Sequence, residues 1–396
     1  MHVLFLVSSF PSPDNLNNGA HNFRSIKRTA LALNDTLVIH LRSYNFRRKV
    51  IDNYTIEGVE VFAFSFFYLP FAPLIIKLLF LEIYKRFFYL FFKGKINKKF
   101  RIIHSAGMSF SGVIASYISK RLGISHLGQC MGSDVNIDLP KMRFYLRLVK
   151  FSDYCKMLTC NSEALAIIVS QAFEKNKVNI IYRGVDLNQF CFHSPFIEDS
   201  ITFVYFGGLV DTAINIGVKM NNKGGVTLLY AWLRLHEMMV EGNIKMKINL
   251  IFAGPEVSEK RVESIIGSSA HSWQIKVVGQ LDSSRVLEYL RLSSVVIIPS
   301  LAEGLPNIAM EAGAVGRAVV GTEVGGMPEI VKQGKTGFLV YPEDTIKLAE
   351  CLLKYIVEPD LIISHGKNAR SHIEENFDAN TYVENYLNLY KLTSQS

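Results

Sequence analysis

The stretch Val295-Val-Ile-Ile-Pro-Ser-Leu-Ala-Glu303-Gly-Leu-Pro-Asn-Ile-Ala-Met-Glu311-Ala-Gly313 decides how this chain is read. Its first four residues form an apolar run that suits a buried strand, and Pro299 ends that run. Pro306 sits where a helix would start, a position it favours because its missing N–H is not needed there. The order is therefore strand, short acidic loop, helix. The freed amides of Asn307 and Ile308 then point out of the helix N-terminus and offer an anion site. Glu303 lies in the loop before that site and Glu311 about a turn inside the helix. Phosphate-binding amides flanked by two hydroxyl-binding carboxylates suit a sugar nucleotide. On spacing alone, the same two glutamates would serve equally as a solvated loop acid and a helix-surface acid.

Working outward, strand-like apolar runs alternate with helix-like stretches along the whole chain, which argues for parallel α/β layers. Val3–Val7, Val38–Leu41, Ile102–His104 and Val178–Tyr182 read as strands in the first half, with helices near Asn22–Leu33, Ser111–Leu122 and Ser162–Phe173. Cys191–Ser200 carries Pro195 and a charged end, and reads as an interdomain linker. Ile201–Phe206 opens a second unit of the same kind, continued by Leu250–Ala253 and Lys276–Val278. The expected domains are residues 1–195 and 196–375, followed by a C-terminal helical piece, 376–396. Ligands of open α/β sheets bind where such strands end.

The 396 residues suffice for two ordinary domains, and 49% are apolar, enough for sizeable cores. The five cysteines are scattered, odd in number and without a Cys-x-x-Cys, which fits a reducing compartment and not a disulfide framework or zinc site. The apolar opening Met1–Val7 lacks a basic start and a small-residue cleavage site, so it reads as a first strand and not as a leader. A net charge of +8 implies acidic partners. The surplus concentrates between Lys77 and Arg101, interleaved with Phe87-Phe88-Tyr89-Leu90-Phe91-Phe92. No recognised nucleic-acid motif accompanies it, and no nucleic-acid partner is expected. The uncharged run Val61–Ile76 is too short, and too broken by Pro70 and Pro73, for an ordinary membrane span. Lys77–Phe92 is expected to form a basic, aromatic helix lying in the plane of an anionic membrane surface.

Several of these segments together resemble glycosyltransferase family 4, a retaining group with the GT-B fold. The matching residues are Pro299-Ser300, Glu303-Gly304, Glu311-Ala312, Gly316, Val319-Val320, Gly325-Gly326, Glu329-Ile330-Val331 and Gly337. Upstream, Arg183-Gly184-Val185-Asp186 with Phe190, and Gly132-Ser133-Asp134, resemble two further elements of that family. The resemblance implies two Rossmann-like, doubly wound domains facing across a cleft, with a last helix, near Thr381–Leu392, returning to the first. It implies transfer of a sugar from a nucleotide-sugar donor to a glycan or lipid-linked acceptor, in surface-polysaccharide synthesis on the cytoplasmic side of a membrane.

The roles implied by the resemblance are as follows. Glu311 binds the ribose hydroxyls and Glu303 the transferred sugar. Gly304, Leu305, Pro306, Asn307 and Ile308 hold the distal phosphate, through the amides around Leu305 to Ile308. Lys223, in Asn221-Asn-Lys223-Gly224-Gly225, binds the diphosphate and stabilises the leaving group, although Lys219 in the same long loop is an alternative. Gly19 lets the first loop approach the donor. His104 and Asp134 fall on the acceptor side. The chain departs from the family at Gly208, where an Arg is usual, and at Met131, where a His is usual. With no Asp-x-Asp in a strand-end loop and no metal-spaced cluster, neither metal nor cofactor is expected beyond the nucleotide-sugar co-substrate. The alternatives are a GT-B enzyme of other chemistry, an epimerase or phosphorylase, and a non-catalytic glycan- or membrane-binding protein of the same fold.

Overall fold

The computed structural model of the protein describes every residue except 1, 17, 34, 45–48, 67–72, 95, 97–99, 149–150, 174–176, 196, 198, 210–222, 256, 268–273 and 396. The chain divides into two compact units, Met1–Arg183 with Asn380–Ser396, and Gly184–Ala379.

The first unit runs β1 (His2–Val7), α1 (Ala20–Leu31), β2 (Asp35–Ser43), β3 (Ile51–Ile56), β4 (Val59–Phe66), α2 (Leu74–Phe92), β5 (Ile102–Ala106), α3 (Phe110–Leu122) and β6 (Ser125–Cys130). A one-turn π-helix (Asp134–Asp138) leads into α4 (Leu139–Leu148), α5 (Phe151–Tyr154), β7 (Cys155–Cys160), α6 (Glu163–Ala172) and β8 (Val178–Ile180). Among the described residues the strands form one sheet in the order β3-β4-β2-β1-β5-β6-β7-β8. β3 and β4 pair antiparallel and the other neighbours pair parallel. The β3–β4 hairpin turns at Glu57-Gly58, both with positive φ (47° and 83°), the geometry that matches the twist of the flanking strands. The run Val61–Ile76 is thus divided. Its first part is the buried strand β4, and Leu74 begins a helix.

β1 shows how the sheet is sandwiched. Leu4 and Leu6 pack into one core with Phe88 and Phe92 of α2 and Ile114 of α3. Val3, Phe5 and Val7 face the other way, onto Phe23 and Ile26 of α1 and onto Tyr382, Tyr386 and Tyr390. This is the period-2 alternation of a strand buried on both faces. The three tyrosines lie on the last helix of the chain, which therefore belongs to the first unit.

The second unit runs β9 (Ser200–Phe206), α7 (Gly225–Glu241), β10 (Lys247–Ala253), α8 (Glu259–Ile266), β11 (Ile275–Gly279), α9 (Ser283–Leu292) and β12 (Val295–Ile298). It continues with α10 (Asn307–Ala314), β13 (Ala318–Thr322), α11 (Met327–Ile330), β14 (Gly337–Val340), α12 (Thr345–Val357) and α13 (Asp360–Asn376), before α14 (Ala379–Gln395). Among the described residues the sheet is parallel throughout, in the order β11-β10-β9-β12-β13-β14. Numbered within the unit this is 3-2-1-4-5-6, the doubly wound order, with its switch point between β9 and β12. Trp232 of α7, packed edge-on against Phe203 at 5.7 Å between ring centres, anchors the core.

The boundary between the units lies earlier than the composition of Cys191–Ser200 suggests. That stretch belongs to the second unit: the His193 amide donates to Val315 O at 3.2 Å, and the buried Arg317 guanidinium donates to His193 O at 2.5 Å. The chain passes between the units at Arg183-Gly184 and returns at Ala379-Asn380. Val185 N donates to Phe377 O at 2.8 Å and Ala379 N to Val185 O at 3.1 Å. Gly184 is required there, since a Cβ on it would lie 2.3 Å from Ala379 Cα.

Candidate functional site

In the second unit the loops after β9 and β12, the two strands that flank the switch point, bring Lys223 and Glu303 together across 80 residues of sequence. Lys223 Nζ lies 2.6 Å from Glu303 Oε1, and Ser300 Oγ donates to the same oxygen at 2.8 Å. Glu303 keeps 11% of its side-chain surface exposed and Lys223 keeps 48%, so the pair stands at the edge of solvent. A parallel sheet delivers chemistry to the C-terminal ends of its strands, and the crevice at the switch point is where ligands of such sheets bind.

Two glycines hold the Glu303 loop by close backbone approach. Gly224, at φ 70°, lies so near Pro299 that a Cβ would fall 1.8 Å from the Pro299 carbonyl oxygen. Gly325, at φ 51°, would place a Cβ 1.9 Å from Glu303 O, while Gly326 N donates to Gly304 O at 2.7 Å. Thr322 Oγ1 donates to Ser300 O from β13. Behind Lys223, the buried Tyr205 hydroxyl lies 3.2 Å from the carbonyl oxygens of both Gly208 and Lys223. Burial, and then the Glu303 charge, raises the Tyr205 pKa, so it stays a neutral donor. The sequence named Ser300, Gly224 and Gly325 only as parts of the family pattern, with no structural role, and did not single out Thr322 or Tyr205. The glycine pairs Gly224-Gly225 and Gly325-Gly326 were the available signal, since paired glycines mark backbone packed too closely for a side chain.

α10 begins one residue later than the sequence suggests, with Pro306 as its N-cap and no side-chain cap. The Ala309 and Met310 amides donate to Pro306 O at 3.2 and 3.4 Å, so the helix amides ahead of them are those of Asn307 and Ile308. Leu305 and Pro306 are buried, while Gly304, Asn307 and Ile308 are half-buried. Glu311 sits one turn into α10 and is buried. Lys219 lies outside the described residues.

The sequence-derived residues of the first unit read differently. Gly19 is the left-handed N-cap of α1, and a Cβ there would lie 2.4 Å from Ser9 C and O. Asn22 Nδ2 donates to Ser9 O at 3.0 Å in the same turn. The glycine closes the β1–α1 loop on itself, which accounts for it without a ligand. His104 is a correction to the acceptor-side expectation. It is 2% exposed, its Nδ1 lies 2.6 Å from Tyr390 OH, and its ring stacks on Tyr386 at 5.1 Å. Burial pushes its pKa down to about 3, so it is a neutral packing residue beneath α14. Asp134 is likewise buried. Its Oδ1 accepts the amides of Met131 and Gly132, both at 2.9 Å, and its Oδ2 accepts that of Met108 at 3.0 Å. Burial raises its pKa despite those bonds. It ties the loops after β5 and β6 together.

The basic segment also differs from expectation. On α2, Lys85 is 7% exposed. It pairs with Glu82, which also accepts a 2.8 Å bond from Tyr145 OH. Its ammonium lies 5.2 Å from the Tyr117 ring centre. The exposed residues of α2 include Arg86 and, among the apolar ones, Ile75 (65% exposed), Leu79 (59%), Ile83 (61%), Phe87 and Leu90. Spaced by three or four, Ile75, Leu79, Ile83, Phe87 and Leu90 form one apolar, mostly aliphatic stripe. Lys95, Lys98 and Lys99 lie outside the described residues. Among the described residues no helix is long and apolar enough to cross a membrane.

Comparison with known proteins agrees with this architecture. Over 99% of this chain and 100% of the other, the fold matches that of Anabaena HepE solved in complex with UDP, with a TM-score of 0.71 at 17% identity. Two α/β units with doubly wound sheets and this likeness define the GT-B class. The family model described as glycosyl transferases group 1 matches residues 212–357, the part of the second unit that carries Lys223, Glu303 and Glu311. An uncharacterised glycosyltransferase of Methanocaldococcus jannaschii is 24% identical over 276 residues, 68% of this chain and 69% of the relative. The alpha-maltose-1-phosphate synthase of Mycolicibacterium smegmatis is 33% identical over 235 residues, 56% of this chain and 59% of the relative. The chain thus has the GT-B fold, and its second unit matches the group 1 glycosyl transferases.

Proposed function

We propose that this protein is a family 4 glycosyltransferase that moves a sugar from a nucleotide-sugar to a glycan or lipid-linked acceptor with retention of anomeric configuration. The observation that carries the reading is the meeting of Lys223 with Glu303, in the loop that leads into α10, at the switch point of the second unit. A cation and free helix amides at one place suit a diphosphate, and two carboxylates beside them suit sugar hydroxyls. In this reading the bond from the anomeric carbon to the leaving phosphate breaks. The acceptor oxygen bonds the same carbon from the same face, and the acceptor proton passes to the leaving phosphate oxygen. Lys223 and the Asn307 and Ile308 amides stabilise the charge that develops on that phosphate. Glu303 orients the transferred sugar and Glu311 the ribose.

The diphosphate is neutralised by the protein's own groups in this scheme, so transfer proceeds without a metal ion. The aliphatic stripe of α2 supports attachment to the inner face of a membrane, where a lipid-linked acceptor for surface-polysaccharide assembly would be met. Apolar burial is the larger part of that attachment, with Arg86 and Lys93 adding attraction to anionic lipid.

A thermal-shift screen against nucleotide-sugars tests the donor half, because a ligand of the folded state raises the melting temperature by mass action. UDP-sugars, guanosine-based and adenosine-based donors are compared, with nucleoside diphosphate release measured in EDTA. A shift with one donor, and release that survives the chelator, support the reading. No shift with any donor would return the chain to a non-catalytic member of the fold. Activity lost in EDTA and restored by Mn²⁺ would overturn the metal-free scheme. A donor converted to an isomeric nucleotide-sugar, with no nucleotide released, would point to an epimerase.

A further inference from the structure

The first unit holds a cavity of about 220 Å³ that the donor chemistry does not use. Phe66 from the end of β4, Leu78 and Leu81 of α2, Phe110 of α3 and Met142 of α4 give it apolar walls. Phe66 and Phe110 stack at 4.6 Å and form one continuous aromatic side. Tyr84 and Ser109 add hydroxyl-bearing side chains, and the charged part of the lining is Lys77, Asp138 and Lys141, two cations against one anion. Lys141 is exposed. Leu74, at the start of α2, also lines the cavity and is 43% exposed, one residue before Ile75 of the outward stripe.

We propose that this cavity takes the single hydrocarbon chain of an anionic acceptor lipid, next to its phosphate, with Lys141 on the phosphate side. The inference rests on the lipid-linked acceptor reading above and names the part of the acceptor that the first unit would grip. Size argues for one chain. The volume is below the ~300–1,000 Å³ of pockets that enclose whole small molecules, and it admits roughly seven or eight groups of water or methylene size. A sugar would leave its hydroxyls unpaired against Phe66, Phe110 and Met142. The charge surplus selects an anionic head, and continuity with the stripe of α2 places the mouth where the chain of a membrane lipid would arrive.

The test is calorimetric titration of the full chain with hexyl, octyl and decyl phosphate below their micelle concentrations, with octanol as the uncharged control. Affinity should tighten by up to about fourfold per methylene and level off near eight carbons, with octanol at least tenfold weaker. Met142→Trp, which fills the cavity, should weaken octyl phosphate at least tenfold. Lys141→Glu, an exposed change that should not trouble folding, should weaken the phosphates and leave octanol unchanged. Leu79→Glu with Ile83→Glu should lose capture by anionic vesicles yet still bind octyl phosphate. Affinity independent of chain length, wild-type binding by Met142→Trp, or octanol as tight as octyl phosphate would overturn the proposal. So would loss of octyl phosphate in the stripe variant. A nucleotide-sugar melting shift without alkyl-phosphate binding sinks the cavity alone, whereas the reverse pattern sinks the donor reading and leaves the cavity standing.

Discussion

Each unit carries one lysine–glutamate pair that matters, and the two pairs are opposites. Lys223 and Glu303 meet across 80 residues at the mouths of two parallel strands, on the solvent edge of the second unit. Lys85 and Glu82 are one turn apart on a single helix, with Lys85 turned into the first unit and Glu82 half-buried at its edge. Burial alone would raise the Glu82 pKa, but hydrogen bonds from Lys85 and Tyr145 outweigh it and hold the carboxyl below its usual range. An ion pair at a strand end is available to a ligand. An ion pair turned inward leaves the outer face of its helix to whatever side chains remain, here Ile75, Leu79, Ile83, Phe87 and Leu90. An exposed stripe of that kind marks an interaction surface. So the same two residue types point to substrate chemistry in one unit and to an apolar surface in the other.

The largest expected effect sharpens the donor side of that contrast. Lys223→Ala should lower donor turnover by about 10²-fold, as for other single groups that stabilise developing charge, and Glu303→Ala by about 10²-fold, from a transferred sugar no longer held in line. Glu311→Gln should instead raise KM for donor with little change in kcat, because a ribose contact is equal in ground and transition states. Lys85→Ala should leave donor kinetics unchanged and lower stability by ~1–2 kcal/mol, since Lys85 is buried but its partner Glu82 stays partly solvated. If Lys223→Ala behaved like Lys85→Ala, the pair in the second unit would be structural as well.

Next is the outward stripe. Leu79→Glu and Ile83→Glu should each reduce sedimentation with anionic vesicles by about tenfold, from the lost burial of one aliphatic side chain. Neither should change stability by more than ~0.5 kcal/mol, since both are surface sites. Vesicle binding that survives both changes would remove the membrane reading.

The units should also part company in acid. Burial pushes both His104 and His126 of the first unit down to about 3. Their folded pKa values lie below the unfolded value of about 6.5, so the unfolded chain binds protons that the folded chain refuses. Stability is therefore full above pH ~6.5 and falls as pH drops from there toward 3, by up to ~1.4 kcal/mol per pH unit for each histidine. In the second unit His365 is shifted the same way, by burial. Hydrogen exchange followed by mass spectrometry should show the first unit opening before the second as pH falls from 7 to 4. Opening of the second unit first would break the comparison.

The smallest effects concern two glycines. Gly58→Ala meets nothing within 4 Å, so it should cost only the ~1–2 kcal/mol of a left-handed residue. Gly325→Ala carries the same backbone cost and must also push Glu303 O away. It should lose donor affinity as well as stability, whereas Gly58→Ala should lose stability alone.

The Val295–Gly313 segment was legible because its information is local. An apolar run, a proline and two spaced acids specify strand, loop and helix over nineteen consecutive residues, and the interactions that shape such an element reach only a few residues along the chain. The alternation of runs was legible for the same reason, and with it the doubly wound class. Other features were decided by contacts between distant segments, which no local pattern carries. Lys223 finds Glu303 only when β9 and β12 are neighbours in the sheet. His104 became a packing residue because α14, nearly three hundred residues later, lays Tyr386 and Tyr390 over it. α2 shows the limit most clearly. It is apolar on nearly every side, so its pattern prefers no face, and its lysines read as a basic surface. Packing against Phe64, Phe66 and Tyr145 chose which side went inward. That choice buried Lys85 and turned the aliphatic residues out, because a charged pair can be satisfied by hydrogen bonds inside the protein while a stripe of isoleucine and leucine can only be covered from outside.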